Sequence, residues 1–134
     1  GYSSVSVTIT LAQFETASAA KGFIQHSIDR VTDVAAAVRD LDGALELGDE
    51  SAAIVVAFGQ TYSVQYIVQI GAVAVLISWD NYVPSPLSLD DQVADAQARF
   101  APVAHFTAQK QVECVEAGYC VGMVAIPAEL MPQM

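Results

Sequence analysis

Apolar and polar residues alternate at the start of the chain. Four apolar residues from Val5 to Leu11 are separated by serine and threonine, and this period of two predicts a half-buried β-strand with one wet face. From Thr16, a suitable helix N-cap, apolar residues recur at helical spacing as far as Val38. They predict a first helix, which the β-branched stretch 31–34 is able to break in two.

The middle of the chain predicts three more strands. Residues 51–58 form an apolar run of strand length, residues 62–70 alternate again, and residues 72–79 follow a turn at Gly71. Turn residues separate these runs, which is typical of a meander of antiparallel strands.

The last third of the chain predicts helices and a final strand. Ser88 is a suitable N-cap, and Pro102 predicts a kink or the start of another helix. Residues 121–126 predict an edge strand. The order β-α-β-β-β-α is typical of an α+β fold, with an antiparallel sheet of about four to five strands and helices packed on one face. We expect the other face to be solvated or covered by a partner.

Composition narrows the class of protein. The 134 residues suit a single domain spanning 1–134, and 54% of them are apolar against 15% charged. Five basic and fifteen acidic residues give a formal charge of −10, which disfavours nucleic acids and anionic membrane surfaces as partners. The mean hydropathy of +0.42 is high, which predicts a large core or an apolar patch for a partner.

Two further features of the chain bear on membrane insertion and on its origin. No apolar run is long enough to insert directly into a membrane. Since Gly1 is not a natural start, we expect a domain processed or excised from a longer protein.

Cys114 and Cys120 are the two cysteines of the chain. Gly118 lies between them and allows the chain to turn back after a helix, which brings the two Cα atoms into bridging range. We expect a disulfide, and with it an extracytoplasmic location, secreted or anchored to the cell envelope. Two buried free thiols are the alternative.

Combinations of residues that carry catalysis are weak in this sequence. His26 shares a predicted helical face with Asp29 and Asp33, but a transition metal normally needs three or four ligands, so a solvated face is the simpler interpretation. His105 and Cys114 form a nucleophilic site only if the thiol is free. We therefore predict no catalytic residue, no metal and no cofactor.

An acidic loop covers residues 40–50. Calcium prefers such oxygen-rich loops, but the spacing does not match the EF-hand pattern. A solvated acidic connection is the simpler interpretation, and calcium stays the alternative. The acidic residues are Asp40, Asp42, Glu46, Asp49 and Glu50.

Aromatic residues cluster around the meander, beside a loop that contains two prolines. Aromatic side chains at a strand end line many ligand pockets and interfaces, although core packing is the simpler interpretation. We take four residues as candidates for binding a ligand or partner: Trp79, Tyr82, Tyr62 and Tyr66.

Short segments in a fixed order carry a family resemblance. They are Phe14 at the end of a strand, Ala19-Ala20, Leu47-Gly48-Asp49-Glu50-Ser51-Ala52, Ile70-Gly71-Ala72-Val73 and Ala96-Gln97-Ala98-Arg99. Across residues 5–100 this order resembles small secreted or lipid-anchored α+β domains of high-GC bacteria, which include lipoprotein and kinase-sensor ectodomains related to the PsbP-like group. The resemblance implies a non-enzymatic envelope domain that binds a ligand or a partner.

Three functions are compatible with these features. The first is an extracytoplasmic, non-catalytic module that binds an apolar small ligand or a protein partner, through the aromatic strand end or the open sheet face. The second is a self-assembling structural subunit, a homo-oligomer formed by strand addition at a sheet edge. The third is a small cavity enzyme that acts on an apolar substrate with a buried carboxylate. The charged residues fall mostly in predicted loops and polar helix faces, which favours a non-enzymatic protein.

Overall fold

Five antiparallel strands form one sheet. The computed structural model describes residues 4–34, 37–44, 46–82, 88–118 and 127–130. The strands are β1 (Ser4–Gln13), β2 (Ala37–Asp40), β3 (Glu50–Phe58), β4 (Thr61–Ile70) and β5 (Val73–Tyr82), in the spatial order β1-β5-β4-β3-β2. The helices are α1 (Ala17–Val34), α2 (Leu89–Asp95) and α3 (Ala101–Glu116), and a 3-10 turn covers Ala128–Leu130. These elements confirm the α+β class and the antiparallel sheet.

Strand β2 is an addition to the predicted order of elements. Its residues continue the helical spacing of α1, yet they pair with β3, where Val38 lies opposite Val56. Helix α1 ends at Val34, at the end of the β-branched stretch that the sequence marks as a weak point. The predicted edge strand 121–126 lies outside the described residues.

The helices cover opposite faces of the sheet. Val64 and Tyr66 of β4 belong to the main core beneath α3, whereas Ile67 packs with Ala74 against Ile24 of α1 on the other face. Successive side chains of a strand point to opposite faces, and the α1 face of β4 carries Ile67 among polar residues. The prediction that the helices share one face is corrected, because Ile67 with Ala74 and Leu76 of β5 forms a second apolar patch, which α1 covers.

A π-helical turn, Ala96–Phe100, joins α2 to α3. Ser88 caps α2, since its Oγ accepts a hydrogen bond of 3.2 Å from the backbone N–H of Asp91. Pro102 lies in the first turn of α3, where a missing N–H leaves no intrahelical hydrogen bond unmade. Pro102 is therefore accommodated at the start of a new α-helix, which the π-helical turn joins to α2. No helix in the described ranges is both long and apolar enough to cross a membrane.

Candidate ligand-binding site

A cavity of about 680 Å³ opens between α1 and the loop that leads into β3. This volume lies within the range of small-molecule binding sites. We call it the α1–loop cavity. Its residues come from one face of α1 and from the segment before and at the start of β3: Ser18, Lys21, Gly22, Ile24, Gln25 and Ile28, with residues 46–52 opposite.

The first wall of the α1–loop cavity is helix α1, and Gln69 of β4 holds the start of this helix in place. Its buried amide donates from Nε2 to the carbonyl oxygens of Ala17, at 3.1 Å, and of Gly71, at 3.0 Å. Ala17 is the first residue of α1, and Thr16 caps that helix by accepting from the N–H of Ala19 at 3.1 Å. The start of α1 is thus fastened to the turn between β4 and β5.

The second wall, residues 46–52, is fastened to the same turn between β4 and β5. The backbone N–H of Asp49 donates to the carbonyl of Gln69 at 2.8 Å, and its carboxylate accepts from the N–H of Gly71 at 2.7 Å. Within the wall, the N–H of Leu47 donates to the hydroxyl of Ser51 at 3.1 Å. Because both walls are anchored to residues 69–71, the cavity exists before any ligand enters, and binding does not have to order it.

Gly48 allows the second wall to approach β4 so closely. Its φ is +61°, and a Cβ atom placed there would lie 2.5 Å from the carbonyl oxygen of Gln69. Real Cβ atoms essentially never come that close, and L-residues with side chains rarely adopt this φ. The wall therefore depends on glycine at this position.

The floor and the rim of the cavity differ in chemistry. Ile24, Ile28 and Leu47 supply apolar surface. The rim carries acidic side chains and one cation, Lys21, whose Nζ lies 3.1 Å from Oε1 of Glu50. The arrangement is suited to a small ligand with an apolar body and a positively charged or hydrogen-bond-donating group.

Two of the five carboxylates in the acidic loop make contacts that hold the structure together. Asp49 caps the N–H of Gly71, and Glu50 pairs with Lys21. Within the described part of the chain, no three His, Cys, Asp or Glu side chains are placed to hold a metal ion together.

The four predicted aromatic residues do not share a surface. Trp79 is 2% exposed, and its Nε1 donates to the hydroxyl of Thr107 at 3.1 Å. Tyr62 and Tyr66 are also buried beneath the helices, whereas Tyr82 is 43% exposed. Strand alternation explains the difference, because residues 79 and 82 of β5 point to opposite faces. Three of the four candidates therefore pack in the core, Tyr82 is exposed, and a role of the four in binding stays a prediction.

A polar network surrounds the hydroxyl of Tyr62 at one end of the main core. The hydroxyl donates to Asp95 and accepts from Asn81 Nδ2 at 2.7 Å and from Arg99 Nη2 at 3.1 Å. Burial raises the pKa of Tyr62, and the hydrogen bond to Asp95 raises it further. Burial opposes ionisation of Asp95, but hydrogen bonds from Arg99 and Tyr62 outweigh it and lower the pKa of this carboxyl. The network is therefore an ionised Asp95–Arg99 pair bound to a neutral tyrosine.

The remaining candidates from the sequence lie apart from each other. His26 is exposed on α1, and the carboxylate of Asp29 accepts from Gln25 Nε2 at 3.0 Å. His105 is bonded through Nδ1 to the Tyr66 hydroxyl. Cys114, in the last turn of α3, is disulfide-bonded, so the thiol site with His105 is not formed. Cys120 lies outside the described residues, and the pairing of the two cysteines stays a prediction.

Protonation of His105 is expected to destabilise the fold as the pH falls below about 6.5. Burial lowers the pKa of His105 from that ordinary value, so the unfolded chain takes up the proton first. Stability contributed by the neutral ring is complete above this pH and is lost as the pH falls toward the lowered pKa. Urea denaturation of the native protein and of His105→Gln between pH 5 and 7.5 tests this. The difference in free energy of unfolding between the two proteins should shrink with falling pH. A constant difference contradicts the expectation.

Comparison of the chain with protein-family models, with curated proteins and with solved structures finds no match. The functional interpretation therefore rests on the geometry of the α1–loop cavity. Sequence reasoning missed this cavity, although Leu47–Ala52 is one of the segments that carry the family resemblance. The local signal in the sequence was Gly48, which lies between Leu47 and the acidic pair Asp49-Glu50, directly before a predicted strand.

Proposed function

We propose that the chain is an extracytoplasmic, non-catalytic binding module whose ligand occupies the α1–loop cavity. The observation that carries this proposal is the common anchorage of both walls to the β4–β5 turn through Gln69 and Asp49. A cavity of ligand size that is already formed loses little free energy in ordering when it binds. The resemblance to envelope domains and the predicted disulfide support the location outside the cytoplasm.

The ligand is a small, largely apolar molecule with a cationic or hydrogen-bond-donating group. Its apolar body would lie against Ile24 and Ile28, which face the cavity from α1. Its polar group would meet the exposed carboxylate of Glu46, which lines the cavity beside the Lys21–Glu50 ion pair. The formal charge of −10 adds a long-range attraction for cations at low ionic strength.

A catalytic role has less support in this cavity. The enzyme hypothesis requires a buried carboxylate at the bottom of an apolar pocket. Burial does raise the pKa of Asp80, but this residue lies on β5 beside Ser78, to which its carboxylate is bonded at 2.9 Å, and is not part of the cavity lining. We therefore propose binding and no reaction.

Filling the cavity at Gly22 is expected to weaken binding at least tenfold without unfolding the protein. Gly22 lines the cavity, has an ordinary helical φ, and a Cβ atom built on it meets nothing within 4 Å. Gly22→Phe therefore places a ring in open cavity space and also removes a glycine from a helix, which favours stability. Isothermal titration with octylammonium as the probe should show binding to the native protein and at least a tenfold weaker affinity in the variant (about 1.4 kcal/mol).

The matched control is Ala19→Phe, which adds the same ring to an exposed position of α1 outside the cavity lining. It should bind the probe like the native protein. Neither variant should have a thermal midpoint below that of the native protein. The proposal fails if the native protein does not bind the probe, or if Gly22→Phe binds it as well as Ala19→Phe does.

A further inference from the structure

Strand β1 forms one edge of the sheet and lacks the features that protect such edges. Among the described residues its ten positions pair with β5 alone, in an unbroken register from Ser4 to Gln13. Natural edge strands are usually short, charged, bulged or interrupted by proline. Residues 4–13 contain no charged residue and no proline, and the register has no bulge.

The opposite edge of the sheet shows the contrast. Strand β2 has four residues, and two of them, Arg39 and Asp40, are charged and exposed. A short, charged strand does not offer a template for pairing with another chain. Only the β1 edge of the described sheet therefore has the length and composition for strand addition.

The exposed apolar side chains of β1 form one row. Val7, Ile9 and Leu11 are 41%, 39% and 44% exposed, and they lie on the same face as the core beneath α3, opposite Trp79, Ile77 and Val75 in the register. Helix α3 covers those β5 residues but leaves the β1 row in contact with solvent. The row extends the main core to the edge of the sheet, where no described element covers it.

The lack of charge on β1 favours a second copy of the chain as the partner at this edge. All fifteen acidic residues lie outside β1, so pairing β1 with β1 of a second copy places no carboxylate in the new strand ladder. A strand of alternating apolar and hydroxyl side chains is also complementary to itself. When two copies pair antiparallel about a two-fold axis perpendicular to the sheet, residues of the same face lie opposite each other, for example Ile9 opposite Ile9 and Val7 opposite Leu11.

We propose that β1 pairs with β1 of a second copy, which joins two sheets into one of ten strands. The contact is isologous and uses up both β1 edges, and the β2 edges that remain are short and charged. Assembly therefore stops at a closed dimer and does not extend into a fibre. The α1–loop cavity contains no residue of β1, so the dimer forms whether or not that cavity binds a ligand.

Sedimentation velocity over a range of protein concentrations tests the proposal. The native protein should form a dimer, and Ile9→Lys should be monomeric because the two introduced charges would face each other across the axis. Thr8→Lys, on the other face of the strand, should also be monomeric. Gln109→Lys, an exposed position of α3, adds the same charge away from the edge and should remain dimeric. Circular dichroism verifies the fold of each variant.

Hydrogen exchange of the native protein separates a second copy from other covers of the edge. Protection of β1 amides that grows with protein concentration supports pairing between copies. Protection that is the same at every concentration means that the chain covers its own edge, and it overturns the proposal. A native protein that stays monomeric, or a dimer that survives both lysine substitutions in β1, overturns it as well.

Discussion

Replacing Trp79 by alanine should lower the free energy of unfolding by about 3–5 kcal/mol, the usual loss for a large aromatic side chain removed from a core. Trp79 is 2% exposed beneath α3, and its indole N–H donates to Thr107. The substitution leaves a cavity and removes the donor from a buried hydroxyl. Most domains have only about 5–15 kcal/mol of stability in total, so a loss of this size is severe. Urea denaturation followed by circular dichroism measures it.

Tyr82→Ala provides the comparison for Trp79→Ala. Tyr82 belongs to the same predicted aromatic set and the same strand, but its ring is 43% exposed, and its hydroxyl donates to Gln60 at 3.2 Å. Its loss should cost about 1 kcal/mol or less, as for most surface positions. Similar losses in the two variants would contradict the assignment of Trp79 to the core.

Replacing Gly48 by alanine is expected to cost clearly more stability than replacing Gly43. Both glycines have positive φ, +61° and +71°, so each alanine incurs about 1–2 kcal/mol of left-handed strain. A Cβ atom at position 43 meets nothing within 4 Å, whereas at position 48 it lies 2.5 Å from the carbonyl oxygen of Gln69. The clash adds to the strain only in Gly48→Ala. Denaturant titration of the two variants isolates the contribution of the close approach.

The same pair of variants also tests the wall of the α1–loop cavity. Relief of the clash at position 48 moves the loop away from β4, so octylammonium should bind Gly48→Ala more weakly than Gly43→Ala. Equal stability and equal affinity in the two variants would show that the loop is not held against Gln69 as described.

The strands were predictable because their patterns are local. Alternation between Val5 and Leu11 and in residues 62–70 is visible in the sequence, and the structure has strands there. Strand β2 was not predictable, since its residues fit the helical spacing of α1 and their pairing with β3 is decided by tertiary contacts. The placement of the helices failed for a related reason. The apolar residues of the second face, Ile67, Ala74 and Leu76, stand among polar ones, so the alternation gave no sign that α1 covers that face.

The candidate site was harder to predict than the fold. The aromatic candidates were chosen by residue type, but strand alternation sends Trp79 inward and Tyr82 outward. The α1–loop cavity depends on hydrogen bonds between residues far apart in the sequence, such as Gln69 with Ala17 and Asp49 with Gly71. No local period of hydrophobicity records such contacts. Within the segment 46–52 that lines the cavity, Gly48 gave a local indication of an unusual backbone.

The anchorage of both cavity walls to residues 69–71 links ligand occupancy to the integrity of the hairpin formed by β4 and β5. A chain in which this hairpin has opened loses both walls at once and keeps no partial site. Any ligand of the cavity therefore binds the native state alone, and its binding free energy is added to the free energy of unfolding by mass action. Such a ligand would also lengthen the lifetime of the folded protein against proteases that cleave open chains.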